Sequence, residues 1–486
     1  MNTKALLGWV LSLLAGNVSG QTKPNVLFIM TDQQSHGMMS CAGNPWLSTP
    51  NMDKIASRGY RFERNYCANP VCMPSRFSLM TGHYASEVGV KENTQAYDAA
   101  KVRQIISRDA LGNLFRKAGY ETLYSGKTHL YGTRDVSEYG FKINTTDPYD
   151  GPAIYAEQAL AEIGRSPQAR PFLMFLSFLN PHDICYKAGA DQRFPDDLSA
   201  ANARETKRLL ALRKSLSAAE YRQQVPPRAA NPAPLNDEVP AMVAMGVGSR
   251  GWDETQWDLY NWMYHRLTES VDTQVGRVLT ALKNAGLEGN TIIVFTSDHG
   301  DMNGAHGLIL KNVMFEECQR VPFIFAGKGI KANFVDHTTL TCNGLDFLPT
   351  ICDLVGIASP TGIPGVSLKP YLTDTGARPV RQHLITEDHN SYQIHDGRHK
   401  YTIFELPGYP ETLTDLEANP GETINFARNA SYAKIKGTLK MALLENLTAR
   451  GLTPLPQDRT IDNIRAKENK KTNKKGQSKA KATIGE

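Results

Sequence analysis

The chain has 486 residues, of which 41% are hydrophobic, 21% charged and 8% aromatic. This composition is typical of a soluble globular protein, and it excludes a wholly disordered chain, a collagen and a multi-span membrane protein. The net charge of +5 sits in residues 461–486, where eight basic side chains outnumber three acidic ones, so residues 1–460 sum to zero. An anionic partner is therefore indicated only for this tail, which we expect to be disordered, and we expect no nucleic acid to bind the body of the chain.

Residues 1–20 have the order of a secretory signal peptide. Lys4 is followed by an apolar run at 5–16 and by small residues at 18–20, so we expect cleavage before Gln21. The alternative is a membrane anchor, but this apolar run is shorter than the roughly 20 residues that span a bilayer. No later segment approaches spanning length. We therefore predict a periplasmic or secreted protein with no membrane span.

The chain contains seven cysteines, and an odd number in an exported protein indicates that at least one is unpaired or chemically special. No two of them are spaced as a CxxC pair, which gives no support to a zinc ribbon or a thioredoxin-like site. If Cys72 is set aside, six remain. The sequence does not choose among their pairings.

Six short runs rich in apolar and β-branched residues predict buried strands. They lie at residues 25–31, 121–125, 172–180, 291–297, 321–326 and 383–386. Helical patterns between them lie at residues 51–59, 109–119 and 257–285. Strands that alternate with helices predict an α/β fold, with a large, mainly parallel or mixed sheet flanked by helices on both faces.

The chain is predicted to divide into an N-terminal domain, a C-terminal subdomain and the tail. We predict the N-terminal α/β domain over residues 21–377, with an insertion at 191–252 that contains a charged helical stretch and a Pro-rich loop. From 378 to 460, alternating short strands predict a smaller α+β subdomain containing an antiparallel sheet. Residues 461–486 form the basic tail.

Polar and ionisable side chains follow four of the predicted strands. They are Asp32 and Gln33, Lys127 and His129, His182 and Asp183, and Asp298 and His299. In open parallel sheets the ligand site lies at the carboxyl ends of the strands, so these loops should converge. One such residue is readily explained as a loop or capping residue, but four loops together predict a cationic pocket that contains a metal ion.

Two kinds of ligand chemistry are available at this edge. Oxygen and nitrogen ligands that suit a divalent cation come from Asp32, Gln33, Asp298 and His299. Lys127 and Lys311 are candidates for binding an oxyanion. Structural alternatives stay open, because Asp298 could cap a helix and each lysine taken singly could be a solvated surface residue.

The strongest local motif is CMPSR at residues 72–76, followed by FSLMTGHY at 77–84. Pro74 fits the first turn of a helix, so Cys72 is predicted at a helix N-terminus, whose dipole favours an anion. One interpretation is a buried structural cysteine beside a surface Arg76. Another is a thiolate nucleophile of low pKa.

Taken together, the motifs resemble those of the formylglycine-dependent sulfatases, in the alkaline-phosphatase-like superfamily. The resemblance covers most of residues 23–430. It is carried by KPNVLFIMTDQQ at 23–34, CMPSR with LMTGHY, GKTHL at 126–130, NPHD at 180–183, SDHGDMNGAHGLILK at 297–311 and the KY…TLTDLEANPGETIN run at 400–425. CxPSR followed by TGH is highly specific in this order of blocks. The resemblance implies an alkaline-phosphatase-like fold, a catalytic domain over 21–377 and a sulfuric ester hydrolase activity.

The resemblance also implies a nucleophile and a metal shell. Cys72 is expected to be oxidised to formylglycine (3-oxoalanine), whose hydrate attacks sulfur, and this would explain the odd cysteine. The implied metal ligands are Asp32, Gln33, Asp298 and His299, with the formylglycine oxygen of residue 72 completing the shell.

The other matched residues are expected to act on the substrate or on the nucleophile. Arg76 would hold the formylglycine in place, and Lys127 and Lys311 would bind the sulfate. His129 would assist turnover of the hydrate, and His182 would protonate the leaving alcohol.

Two positions depart from the pattern of many sulfatases. Gln33 stands where many have Asp, and His299 stands where many have Asn. We expect the cation to be Ca²⁺. Mn²⁺ or another divalent cation is the alternative, because fewer carboxylates and a nitrogen ligand loosen the preference for calcium. The same two residues also resemble choline sulfatase and the phosphonate monoester and phosphodiester hydrolases of the superfamily.

The expected substrate is a sulfated small molecule or oligosaccharide, and we favour a sulfated polysaccharide or glycosaminoglycan fragment. The expected protein partner is a formylglycine-generating or sulfatase-maturating enzyme. Residues of the insertion together with His389, His395 and Arg398 could read the sugar, or could make only local contacts. An alternative from another class is a non-catalytic glycan-binding relative, against which the complete set of matched residues argues.

Overall fold

The computed structural model describes residues 23–93, 97–131, 136–144, 147, 149–166, 170–186, 204–232, 249, 251–376, 378, 381–405, 409 and 411–452. The predicted signal peptide, the basic tail and parts of the 191–252 insertion lie outside the described residues. Among the helices of the described part, none is both long enough and apolar enough to cross a membrane.

The strands of the described residues form one large sheet, one small sheet and a separate C-terminal sheet. They are β1 (Asn25–Asp32), β2 (Gly59–Phe62), β3 (Asn65–Tyr66), β4 (Glu121–Gly126), β5 (Lys142–Ile143), β6 (Phe172–Pro181), β7 (Thr291–Ser297), β8 (Phe323–Gly327), β9 (Phe334–Asp336), β10 (Thr341–Cys342), β11 (Leu384–Glu387), β12 (Ser391–His395), β13 (His399–Phe404) and β14 (Thr412–Asp415). The large sheet has the order β5-β4-β6-β1-β7-β8-β2-β9, and β3 pairs with β10.

The helices cover both faces of the large sheet and one side of the C-terminal sheet. They are α1 (Pro50–Ser57), α2 (Cys72–Thr81), α3 (Ala99–Asp109), α4 (Leu111–Lys117), α5 (Gly151–Gly164), α6 (Arg204–Ser215), α7 (Ala218–Gln224), α8 (Glu254–Asn284), α9 (Glu316–Gln319), α10 (Asn343–Val355), α11 (Lys369–Leu372) and α12 (Ala433–Ala449).

Strand β1 shows why the sheet is covered on both faces. All eight of its residues are buried, and successive side chains of a strand point to opposite faces. Val26 and Phe28 pack into a core formed with α2, α3, α4 and α10. Leu27 and Ile29 pack into a second core formed with α1, α5 and α8. A continuous apolar run therefore places β1 at the centre of a three-layer α/β structure.

The predicted fold class is confirmed, with one refinement in strand direction. The six predicted strands correspond to β1, β4, β6, β7, β8 and β11. Strands β4, β6, β1 and β7 run parallel, whereas β8 is antiparallel to both β7 and β2, so the sheet is mixed. The predicted helices correspond to α1, α4 and α8. The charged stretch of the insertion forms α6 and α7.

The C-terminal sheet is antiparallel, as predicted, and packs against the N-terminal region. Strands β11 to β14 pair in chain order, and Leu439 and Leu443 of α12 lie in the same core as Tyr84, which follows α2. The buried carboxylate of Glu387 accepts hydrogen bonds from Ser86 N at 2.8 Å and from Arg450 Nη2 at 3.0 Å. The hydrogen bond from Ser86 ties the end of β11 to the segment after α2.

Gly126 ends β4 in a conformation that only glycine adopts without strain. Its φ is +99°, and a Cβ atom there would overlap the carbonyl oxygen of Ser177. We expect Gly126→Ala to lower the free energy of unfolding by about 4 kcal/mol, since backbone strain and a steric clash add. Urea unfolding followed by circular dichroism measures this change.

Gly119→Ala is the matched control for that substitution. Gly119 has a similar φ of +90°, but no atom lies within 4 Å of the position of an added Cβ. Strain alone should cost about 1–2 kcal/mol there. Equal losses for the two variants would contradict the steric argument at Gly126.

Candidate active site

Side chains at the ends of four neighbouring parallel strands meet at one edge of the large sheet. Asp32 is the last residue of β1, and Lys127 directly follows β4. His182 directly follows β6, and Asp298 directly follows β7. Lys127 Nζ lies 2.6 Å and His182 Nε2 lies 4.0 Å from the carboxylate oxygens of Asp32. The structure therefore brings the loops together at the carboxyl edge, where parallel sheets bind ligands.

Cys72 is the first residue of α2, and its side chain is buried among charged groups. Its Sγ atom is 2.9 Å from Lys311 Nζ and 3.2 Å from His299 Nε2. Lys127 Nζ and Asp32 Oδ1 each lie 3.8 Å from the same sulfur. Both candidate lysines are thus directed at residue 72, and neither is a solvated surface residue.

Arg76 lies one turn further along α2 and is 1% exposed, so it is not a surface arginine. Its Nε donates to Asp298 Oδ2 at 2.8 Å, and its Nη2 donates to Asp32 Oδ2 at 2.7 Å. Its Nη1 donates to the Lys127 carbonyl oxygen at 3.0 Å and to Ser177 Oγ at 2.8 Å. The guanidinium group therefore connects the ends of β1, β4 and β7 to Ser177 inside β6.

Four buried side chains can direct ligand atoms to one point. The ligand atoms of Asp32, Cys72, Asp298 and His299 all lie within 4.8 Å of one another. His299 Nδ1 is 2.9 Å from the carbonyl oxygen of Gly300, which leaves Nε2 as the ligand nitrogen. Two carboxylates and an imidazole nitrogen suit a divalent cation. The donor set of this cluster therefore fits a metal ion.

The Asp298 carboxylate caps no helix. Residues 299–304, all of them described, form no helix, and the next element is a short 3₁₀ turn at Ala305–Gly307. The Oδ1 atom of Asp298 instead accepts hydrogen bonds from the backbone N–H groups of His299 at 2.9 Å and Gln33 at 3.1 Å. The capping interpretation of Asp298 is wrong.

The side chain of Gln33 connects the cluster to groups behind it. Its Oε1 accepts from Lys311 Nζ at 2.9 Å and from Cys185 Sγ at 3.2 Å. Its Nε2 donates to Asp301 Oδ2 at 2.6 Å. The amide oxygen of Gln33 therefore contacts the same Lys311 ammonium group that contacts Cys72.

All seven cysteines lie in the described part of the chain and are free thiols, so no disulfide forms among them. Burial raises the pKa of the other six. Burial also raises the pKa of Cys72, but the charges of Lys127 and Lys311 outweigh it and hold that pKa well below the usual range. Residue 72 is therefore the one place among these thiols where a negative charge is strongly stabilised.

The two candidate histidines differ in their surroundings. Burial and then the charges of Lys127 and Lys311 lower the pKa of His182 to about 4, so its imidazole is neutral at pH 7. His129 has a positive φ of +43°, and its side chain is among the groups that lower the pKa of Cys72. Among the described residues, no partner contacts the Nδ1 atom of either histidine through a hydrogen bond.

Asp183, the neighbour of His182, lies outside the metal cluster. Its Oδ1 accepts from Tyr149 OH at 3.0 Å, and burial raises its pKa to about 8.

The three C-terminal residues considered for sugar recognition are placed differently from one another. His395 is 2% exposed and stacks edge-on against Tyr66, so it cannot contact a sugar in this structure. Arg398 makes a local contact, donating to both carboxylate oxygens of Asp415. His389 is partly exposed, and its Nδ1 lies 3.5 Å from Glu92 Oε2.

Several contacts of the site were not predicted from the sequence. They involve Ser177 inside β6, Cys185 after it, Asp301 in the SDHGD motif, and Tyr260 and Tyr264 of α8. The tyrosines and Asp301 are buried. The only sequence signal for Asp301 was its position two residues after His299, and α8 offers no signal that separates these tyrosines from core residues.

The α/β fold and the site define a hydrolase of anionic esters, with a buried cysteine of lowered pKa, two ammonium groups and a cluster that can hold a metal ion at one sheet edge. The model of the sulfatase family matches residues 24–357. The model of the C-terminal region of N-sulphoglucosamine sulphohydrolase matches residues 304–449. The chain belongs to the sulfatase family, and it is a sulfuric ester hydrolase.

Individual relatives agree with this assignment along nearly the whole chain. A Delta 4,5-hexuronate-2-O-sulfatase of Bacteroides thetaiotaomicron is 30% identical over 90% of this chain and 92% of its own length. An N-acetylglucosamine-6-O-sulfatase of the same organism is 28% identical, over 87% of this chain and 86% of its own. A solved structure described as a 2-O GAG sulfatase is 29% identical with a TM-score of 0.74, covering 88% of this chain and 93% of that one.

Proposed function

We propose that this protein removes sulfate from ester groups on a carbohydrate, such as a sulfated polysaccharide or a glycosaminoglycan fragment. The observation that carries the proposal is the position of Cys72 Sγ between two ammonium groups, with Lys311 Nζ at 2.9 Å and Lys127 Nζ at 3.8 Å. A sulfuryl group at residue 72 would lie within their reach. The carbohydrate substrate is supported by similar proteins described as hexuronate and N-acetylglucosamine sulfatases.

The nucleophile in this proposal is residue 72 after oxidation to formylglycine by a formylglycine-generating or sulfatase-maturating enzyme. A hydrated aldehyde carries two hydroxyl groups. One can attack sulfur and displace the alcohol, and loss of the proton from the other can then expel sulfate and re-form the aldehyde. A serine has a single hydroxyl group and would retain the sulfate as a stable ester. Arg76, one turn along α2, would hold the carboxylates against the modified residue.

The metal ion in this proposal is Ca²⁺, with Mn²⁺ or another divalent cation as the alternative. Asp32, Asp298 and His299 would hold it together with Gln33 Oε1 and an oxygen of residue 72. A bound divalent cation would lower the pKa of the attacking hydroxyl and offset charge on the sulfate oxygens. The buried pair Asp32 and Asp298 supplies the negative charge that attracts it.

The remaining residues act on charge and protons. Lys127 and Lys311 would bind the sulfate oxygens and stabilise charge that develops on the transferring group. His129, whose side chain is among the groups that lower the pKa of Cys72, would take the hydrate proton. His182 would protonate the leaving alcohol. Its pKa is low without substrate, and the negative charge of a bound sulfate ester would raise it.

The proposed site of action is the periplasm or the extracellular space. The support is the order of residues 1–20, in which a lysine precedes an apolar run and small residues.

Two measurements test the proposed function. Mass spectrometry of the peptide that contains residue 72 should show formylglycine in active protein, and an unmodified thiol in fully active protein would contradict the nucleophile. A panel of sulfated mono- and disaccharides with defined sulfate positions should then yield at least one substrate turned over in the presence of Ca²⁺ or Mn²⁺. Turnover that persists after complete chelation would contradict the metal site.

A second candidate is a phosphonate monoester or phosphodiester hydrolase, or an enzyme similar to choline sulfatase. Gln33 and His299 favour it, because these two residues replace the Asp and Asn of many sulfatases. The kcat/KM values of an aryl sulfate and an aryl phosphodiester with the same leaving group separate the candidates. The proposed carbohydrate sulfatase and an enzyme similar to choline sulfatase should both prefer the sulfate, and a preference for the diester would favour the phosphonate monoester or phosphodiester hydrolase. Choline sulfate, added to the panel of sulfated sugars, separates the two sulfatases.

A further inference from the structure

The side-chain amide of Gln33 can lie in either of two orientations. An amide has one acceptor end and one donor end, and only its oxygen can bind a cation. A glutamine in a metal shell therefore needs neighbours that distinguish its two ends. In many sulfatases an aspartate at this position has no such requirement, because both of its ends are oxygen.

Asp301 is a neighbour that distinguishes the two ends of the amide, because it contacts the nitrogen end. Its carboxylate is fully buried, and its Oδ2 lies 2.6 Å from Gln33 Nε2. Donors already surround the carboxylate, because Tyr260 OH lies 3.0 and 3.1 Å from its two oxygens and Asn303 N donates to Oδ1 at 2.7 Å. An ionised carboxylate only accepts hydrogen bonds. If the amide of Gln33 turned over, two oxygens would meet without a proton between them.

The opposite end of the amide requires the same orientation. Gln33 Oε1 accepts from Lys311 Nζ at 2.9 Å and from the Cys185 thiol at 3.2 Å. Both partners donate, and the ammonium group of Lys311 cannot accept. All hydrogen-bond partners of the amide thus agree on one arrangement, with the oxygen on the side of Cys72.

Tyr260 links this arrangement to the segment that carries Lys311. Its hydroxyl group donates to Asp301 and accepts from Leu310 N at 3.3 Å. Leu310 has a φ of +67°, a conformation that costs a leucine about 1–2 kcal/mol. One buried hydroxyl group on α8 therefore supports both the orienting carboxylate and the strained residue before Lys311.

We infer that Asp301 is a positioning residue that fixes the Gln33 amide with its oxygen toward the metal site, and that Tyr260 holds Asp301 in place. The inference rests on the proposed metal-dependent function, and it adds a residue that would act on the cation through Gln33. It accounts for a buried carboxylate that contacts none of the reacting groups.

The test measures cation binding rather than turnover alone. Full-length protein is stripped of metal and titrated with Ca²⁺ and separately with Mn²⁺ at pH 8 by isothermal titration calorimetry. Asp301→Asn offers Gln33 either a donor or an acceptor, so only Lys311 and Cys185 are left to orient the amide, and Kd should rise about 10- to 100-fold. In the double variant Gln33→Glu/Asp301→Asn, residue 33 has oxygen at both ends, and Kd should return to within about threefold of the wild-type value.

Asp272→Asn is the matched control. Asp272 is another buried aspartate, and it accepts from Asn51 and Met52 at the start of α1 rather than from the site. Its substitution should lower stability and leave Kd unchanged. Tyr260→Phe tests the same inference without altering a charge, and its Kd should rise several-fold.

The outcomes separate this inference from the proposed function. If the wild-type protein binds a cation and hydrolyses sulfate esters but the Kd of Asp301→Asn stays within twofold, the inference is overturned and the function stands. A raised Kd that the double variant does not restore also overturns it. If Asp301→Asn does not fold, an unchanged Kd in Tyr260→Phe overturns it and a raised Kd supports it. A wild-type protein that binds neither cation overturns both.

Discussion

Replacing Cys72 by alanine should lower kcat/KM for any sulfate ester substrate by about 10⁴-fold or more, because it removes the proposed nucleophile and, with it, one proposed metal ligand. The side chain at 72 contacts Lys311 at 2.9 Å and His299 at 3.2 Å, and alanine leaves these groups in place. Affinity for substrate should therefore change little. Steady-state kinetics measures the first effect, and calorimetric binding of an unhydrolysed sulfated sugar measures the second.

A serine at position 72 gives a more informative result than alanine. If the serine stays unmodified, its single hydroxyl group should accept sulfate once and then stop, so intact-protein mass spectrometry should show one added sulfo group. Cys41→Ala is the control, since Cys41 is a free thiol that lies outside the metal cluster. Turnover by Cys72→Ala at the wild-type rate would contradict the nucleophile assignment, and so would equal losses in the two alanine variants.

The sequence was most informative where an apolar run ends in a charged residue. Asp32 closes the run of β1 and Asp298 follows the run of β7, and parallel pairing of these strands with matched register brings both carboxyl ends to the same edge. The position of such residues follows from the chain direction of the strands alone. This is why the candidate residues at the strand ends could be predicted to converge before any side-chain geometry was known.

The shortest strands and the supporting residues could not be predicted in this way. Strands β3, β5 and β10 have two residues each, so their existence depends on a pairing partner rather than on a local pattern. Asp301 matters because its Oδ2 reaches Gln33 Nε2, a contact set by two loops that no spacing rule relates. For His395 the sequence left sugar recognition and a local contact open, and only the packing of its strand decides between them, because the side chain is buried against Tyr66.

Replacing Arg76 by methionine should destabilise the protein by about 3–5 kcal/mol, because it removes the cation from a buried ion pair and leaves carboxylates without compensation. Arg76 is 1% exposed and bonds to both Asp32 and Asp298, whose side chains are 0% exposed. Lys127 Nζ, 2.6 Å from Asp32, still neutralises part of the charge on that carboxylate. The uncompensated negative charge should therefore be mainly that of Asp298. Urea unfolding in the presence of a chelator measures the free energy.

Arg76→Lys separates the charge of Arg76 from its shape. A lysine keeps the positive charge, but a single ammonium group cannot reproduce the planar fork that serves both carboxylates, so the loss should be smaller but still measurable. Added Ca²⁺ should restore part of the stability of Arg76→Met, since a ligand that binds only the folded state stabilises it. Unfolding of Arg76→Met at the wild-type urea midpoint would contradict the ion-pair argument, because the two buried carboxylates would then need no cation to hold them together.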